Sequence, residues 1–178
     1  IMVMKIFIYR YTSGNSSVVD RKYEARNITS FDQSIDVPTQ TMALPETDTD
    51  QAILTKAEGN TEKVNFSWII KDEDTSPVLD ASGSAINSFS VTDIVGNNST
   101  WDPRTPEGGY VWFVNFFEKL GVSDNYKYRF EIYDVATSQG LLNKYGIISR
   151  ITMAKSATDP AIYNATIEFT VGNDITVT

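Results

Sequence analysis

The chain has 178 residues, 15 basic and 23 acidic, and a formal net charge of -8. It contains neither cysteine nor histidine, which excludes disulfides, thiol nucleophiles, thiolate metal sites, histidine-based triads and histidine-ligated zinc. The acidic balance argues against binding nucleic acid through basic patches, and no stretch approaches the ~20 apolar residues of a membrane-spanning helix.

The first apolar run, residues 2–11 (MVMKIFIYRY), is broken by Lys5 and Arg10 and followed by no small-residue cleavage pattern, so it reads as a strand and not a signal peptide. Met4, Ile6 and Ile8 fall on one pleat face and Val3, Phe7 and Tyr9 on the other, as expected of a strand covered on both sides. Residues 12–17 (TSGNSS) read as a turn. Residues 27–37 alternate weakly, with Phe31, Ile35 and Val37 against Ser30, Asp32 and Ser34. The run PTQTMALPETDTD that follows has two prolines and no period, so a long loop is predicted over 37–50; loops of that length in compact domains are usually functional. Strands are predicted over 51–57 and 63–71, the second with Val64, Phe66, Trp68 and Ile70 inward, joined as a hairpin around Glu58-Gly59-Asn60.

Residues 71–76 (KDEDTS) and 80–84 are polar turns, and 86–95 reads as a strand ended by Gly96-Asn97-Asn98-Ser99. A single helix is predicted over about 106–120, with Thr105 as cap, Pro106 in the first position and Gly121 past the end. One face carries Tyr110, Phe113, Val114, Phe117 and Leu120, and a second adds Val111, Trp112 and Phe116. A helix apolar on two sides is covered either by a single deep core or by its own domain and a neighbouring subunit. Three strands close the chain: 126–132, 145–153 with Tyr145, Ile147, Ile151 and Met153 on one face, and 162–171 with Tyr163, Ala165, Ile167, Phe169 and Val171 inward. The expected fold is mainly β: one domain over 1–178, a sandwich or barrel of about seven to eight strands with one flanking helix.

Carboxylates cluster at Glu46, Asp48 and Asp50 and at Asp72, Glu73 and Asp74. The first lacks the glycine of a helical-type calcium loop, and both sit in predicted loops where a solvated charge run is the ordinary account. Among the tryptophans, Trp68 alternates with core positions, whereas Trp101 follows a polar turn and could serve a carbohydrate platform. Two of the Asn-x-Ser/Thr triplets, at Asn65 and Asn164, fall inside strands, which points to chance instead of glycosylation. Gly108-Gly109 lacks the lysine and spacing of a phosphate loop. These readings leave no catalytic residue, cofactor or metal site.

The segment TPEGGYVWFVNFFEKLGV resembles the single flanking helix of the tail tube and related tube-forming proteins of tailed viruses and contractile injection machines. YKYRFEIYDV, GIISRITMAKS and DPAIYNATIEFTVG resemble that family's closing strands, and LPETDTDQAILTKAEGNTEKVNFSW is similar to the loop and hairpin of tail hub and distal-tail proteins. The resemblance implies six-fold rings of identical subunits that stack into a tube, with DNA passing without specific binding. It also implies sheath, hub or terminator proteins as partners, no membrane, assembly in the host cytoplasm and a final place in the virion tail. Subunit-interface candidates are Trp112, Phe116, Pro38, Met42, Leu44 and Pro45, and the loop over 37–50 is expected to bridge rings. Glu168, on the polar face with Asn164, Thr166 and Thr170, is the candidate lumen residue. Two other classes remain open: a carbohydrate-binding β-sandwich or receptor-binding module, and a glycan-processing enzyme that uses carboxylates alone.

Overall fold

A computed structural model describes residues 4–11, 19–37, 39–43, 52–56, 61–93, 95–116 and 128–172. In chain order these form β1 (Met4–Tyr11), β2 (Val19–Ala25), β3 (Ile28–Asp36), β4 (Thr39–Ala43), β5 (Ala52–Lys56), β6 (Thr61–Ile70), β7 (Val78–Leu79), β8 (Phe89–Thr92), β9 (Asn98–Trp101), helix α1 (Pro106–Phe116), β10 (Tyr128–Asp134), β11 (Gln139–Lys155) and β12 (Tyr163–Val171). Eight strands make one antiparallel sheet in the order β3-β6-β12-β11-β10-β1-β2-β7.

That order forces the sheet to roll. Only Arg26 and Asn27 separate the end of β2 from the start of β3, a reach of at most about 11 Å. In a flat sheet those strands would lie six ladder spacings apart, roughly 29 Å. The chain makes the crossing with Asn27 in the left-handed region (φ 53°), where asparagine is among the better-tolerated residues. The edge strands β3 and β7 share no ladder, so the rolled sheet is open and not a closed barrel.

Alternation decides what lies inside the roll. Val64, Phe66, Trp68 and Ile70 of β6, Tyr128, Phe130 and Ile132 of β10, and Ala165, Ile167 and Phe169 of β12 are all buried, as their period of two predicts. Ile6 and Ile8 of β1 join them, but Phe7 and Tyr9 are only half-buried, so β1 is fully covered on one face and not on both. In β11 a bulge between Ile148 and Arg150 shifts the phase. Ile148 is buried and Ile151 and Met153 pack against the core, whereas Tyr145 and Ile147, expected on their face, point outward and are exposed.

Two further expectations are corrected. Within the predicted loop over 37–50, Thr39–Ala43 is strand β4, paired with β5. β5 therefore takes β4 as partner, and β6 pairs with β3 and β12 in place of the predicted β5–β6 hairpin. The strand expected over 86–95 is limited to Phe89–Thr92, and the polar run after it, Asn98–Trp101, returns as its partner β9. The loops Asp80-Ala81-Ser82-Gly83-Ser84 and Asp93 to Asn97 are built alike. In each the aspartate Oδ1 accepts backbone N–H groups two and four residues on (2.8–2.9 Å), and the glycine has φ near 87–89°. The Ser82 hydroxyl, donating to Asp80 Oδ1 at 2.6 Å, leads in holding the Asp80 pKa below the usual range, and the Asn97 N–H leads at Asp93.

Candidate assembly surfaces

The helix is seated by its own first turn. Thr105 Oγ1 accepts the Gly108 N–H at 3.1 Å and donates to the Asp102 carbonyl at 2.9 Å, while Arg104 clamps the Asp102 carboxylate at 2.6–3.1 Å. Gly108 lies against the Asp102 carbonyl, and a Cβ on Gly109 would come 2.7 Å from Ile70 Cγ2, so the two glycines let the helix approach turn and sheet. Trp112, an interface candidate from the sequence, is 1% exposed and stacks on Tyr23 at 5.4 Å, with Phe113 edge-on to the same ring at 4.4 Å. Trp112 is thus a core residue, because β2 and β6 curl to meet that second apolar face. Trp68, packed against Phe113 at 5.3 Å, donates Nε1–H to the Tyr23 hydroxyl at 3.3 Å. Tyr110 stays exposed and stacks on Tyr163, and with Phe113, Val114, Ile151 and Met153 it lines an open pocket of about 160 Å³. The Phe116 side chain, residues 117–120, Pro38, Leu44 and Pro45 lie outside the described residues, and Met42 is described only as a backbone position in β4.

The outward face of the sheet has two halves. Across β11-β12-β6-β3 the register aligns Thr152, Thr166, Ser67 and Ser30 in one row, and Arg150, Glu168, Asn65 and Asp32 in the next. Ser67 and Thr166 hydroxyls are 2.8 Å apart, and Ser149 Oγ donates to Glu168 Oε1 at 3.2 Å. Glu168 also faces Lys63 at 3.9 Å, so the candidate lumen residue is partly neutralised within its own subunit. With Lys63, Arg150, Asp32 and Glu168 together, this half is hydroxyl-rich and close to neutral, not strongly acidic.

Across β2-β1-β10-β11 the register aligns Lys22, Tyr9, Arg129 and Tyr145. Lys22 Nζ sits 4.2 Å from the Phe7 ring centre and 5.1 Å from that of Tyr9, and the Arg129 guanidinium 4.1 Å from Tyr9. The Tyr9 hydroxyl donates to Glu131 at 3.1 Å, and burial together with that carboxylate pushes its pKa up to about 12. Nearby, burial works against the Glu24 carboxylate, but hydrogen bonds from Arg26 and Lys5 more than offset it and hold its pKa below the usual range.

Neither the sequence families nor the curated proteins contain a match to this chain. Among solved structures it is similar to a chain of the "Tail of empty GTA particle computed with helical refinement, C6 symmetry". The identity is 10% and the TM-score 0.45, over 93% of this chain and 99% of that one. It is also similar to a chain of the "Virion of native gene transfer agent (GTA) particle", at 13% identity and TM-score 0.41 over 90% and 96%. Likeness this distant decides neither activity nor assembly, which have to be argued from the surfaces.

Of the carboxylate clusters, Glu73 is no freely solvated charge. It accepts from Arg26 at 3.2 Å and from Asn27 Nδ2 at 3.1 Å, tying the β2–β3 crossing to the loop after β6. Composition cannot reveal that partner, since Arg26 lies 47 positions away. Glu46, Asp48 and Asp50 lie outside the described residues. Among the described residues no group of three or more carboxylates is placed to hold a metal ion, and no helix is long and apolar enough to cross a membrane. Trp101 is half-buried on β9 opposite Phe89.

The remaining surface of note is the long hairpin. β3 and β6 pair down to Asp36 and Thr61, and the pairing resumes in β4 and β5 from Thr39 and Lys56. β4 and β5 form a two-stranded sheet of their own. Where β3 gives way to this arm, Ile35 and Val37 are 57% and 42% exposed.

Proposed function

We propose that this chain is a structural subunit of a virus-type tail, assembling into six-fold rings that stack into a tube through which DNA passes. The hairpin arm carries this reading. An isolated two-stranded hairpin is marginal in water, so β4 and β5 call for a further surface, and exposed Ile35 and Val37 at the arm's base provide apolar area for it. Among the described residues β3 is an edge strand, and such an edge offers backbone groups that a neighbouring subunit can extend. In such a ring the arm bridges to the next copy, and the hydroxyl-rich half around Thr166, Ser67 and Glu168 faces the lumen. Hydroxyls and balanced charges present no cationic groove to a phosphate backbone, so DNA slides without sticking. Other copies, and the sheath, hub or terminator proteins of a tail, are then its partners, and the virion tail is its destination. No step of this function needs catalysis or a cofactor.

Light scattering on the purified chain, with negative-stain images, tests this. Rings, stacks or filaments are expected; a monomer at every concentration overturns it.

A further inference from the structure

Lys22 and Arg129 approach the same Tyr9 ring from neighbouring strands, so two like charges share one aromatic platform. Burial lowers the Lys22 pKa, and Arg129 pushes it the same way while Glu131 and Glu24 oppose both. Arg129 Nε is buried without a hydrogen-bond partner, a cost carried within the subunit. Tyr145, next in the row, is exposed, as are Ile147 and Leu141 on the same strand. The patch therefore pairs apolar and aromatic area with two cationic heads that Glu131 and Glu24 already partly balance, and a further carboxylate would add to that attraction. The chain carries a matching element. The eight residues 44–51 that join β4 to β5 read LPETDTDQ, with Glu46, Asp48 and Asp50 and no basic residue.

We propose that the row Lys22–Tyr9–Arg129–Tyr145 receives the acidic segment 46–50 of a second copy of this chain. The contact is head-to-tail: the arm of one subunit seats on the β2-β1-β10 face of another. Such heterologous contacts propagate into rings or filaments and do not end at a dimer. The proposal rests on the assembly reading and gives it a specific pair of surfaces.

Charge exchange between two variants tests it. One variant carries Lys22→Glu and Arg129→Glu; the other carries Glu46→Lys, Asp48→Lys and Asp50→Lys. Each alone should assemble at least tenfold more weakly than the unmodified chain at low salt. Mixed in equal amounts they should co-assemble, because each supplies the patch that the other's arm fits. Assembly of either variant alone at the unmodified level, or failure of the folded mixture to assemble, overturns the contact. An arm folded back on its own patch gives that second result. Should charge reversal unfold the patch, Lys22→Gln with Arg129→Gln keeps the test open: assembly must weaken and lose its salt dependence, and unchanged assembly rejects the contact. If the unmodified chain itself never assembles, the tube reading falls with it. If it assembles while the exchange fails, only this contact falls.

Discussion

Four residues show how local chemistry and packing compete. Gly108 and Gly109 stand in the first turn of α1, where alanine is favoured by about 1 kcal/mol on helix propensity alone. A Cβ at Gly108 meets the Asp102 backbone, and one at Gly109 meets Ile70 at 2.7 Å, so Gly108→Ala and Gly109→Ala should each destabilise the fold, by about 1–3 kcal/mol. A urea midpoint that rises would refute that packing. Glu24 makes a pH-dependent contribution. Its folded pKa is depressed, so the contribution is present above the unfolded carboxylate value of about 4.3 and lost as pH falls through the folded value. Glu24→Gln should lower stability near pH 7 by about 2 kcal/mol, as for a hydrogen-bonded charge. It should also flatten the fall in melting temperature below about pH 4; the unmodified chain's acid slope surviving the change rejects the assignment. Tyr9 is the alkaline counterpart, raised to about 12. The stability it confers is complete below the unfolded value of about 10 and is lost as pH rises toward the folded one. Burial also raises Tyr11 and Tyr23, so ultraviolet titration should find a late-ionising group of tyrosines, and Tyr9→Phe should reduce its amplitude by one tyrosinate.

At the scale of the element, the helix and the arm make opposite demands. Trp112 is buried against Tyr23, so Trp112→Ala should cost about 3–5 kcal/mol of folding stability. Loss of assembly with an unchanged melt would return Trp112 to an interface. The helix's cap and first position were legible because Thr105 and Pro106 act through their own turn. The destination of its second face was not, because that depends on strands far away in sequence. For the arm, Asp36 and Thr61 are paired, so a tight Asn-Gly turn can replace residues 37–60. The shortened subunit should keep its core and cooperative melt and remain monomeric. Tubes of ordinary length from it refute the arm's role. The strand within 37–50 was hidden because the prolines at its flanks outweighed the β-branched Thr39 and Thr41 in the pattern. The phase of β11 was hidden too, since the bulge after Ile148 has no sequence signature of its own.

For the whole molecule the matter is charge. The chain is at -8, yet the hydroxyl-rich half pairs Glu168 with Lys63 and sets it opposite Arg150. On the proposed assembly, tubes of this chain should therefore show no measurable affinity for duplex DNA at ordinary salt. Glu168→Lys, repeated by symmetry around a lumen, should create binding that weakens steeply as salt rises. Gel-shift and filter-binding titrations over a salt series decide it. Salt-sensitive binding by the unmodified tubes rejects a passive conduit, and no gain from Glu168→Lys moves the lumen to another face.

Residue order by itself determined what acts over a few positions: alternating strands, the capped helix, the lack of histidine and cysteine chemistry, and the acidic balance. Burial of Phe66, Phe130, Ile167 and Phe169 follows from a period of two, which is a property of the local backbone. Tertiary structure decided the rest. Two residues crossing from β2 to β3 oblige the sheet to roll. That rolling places Tyr23 over Trp112 and Trp68 against Phe113, turns a candidate interface into core, and leaves the rows of the outer face facing away from it. Contacts between distant strands depend on pairing order and register, and no single segment of the sequence carries that information.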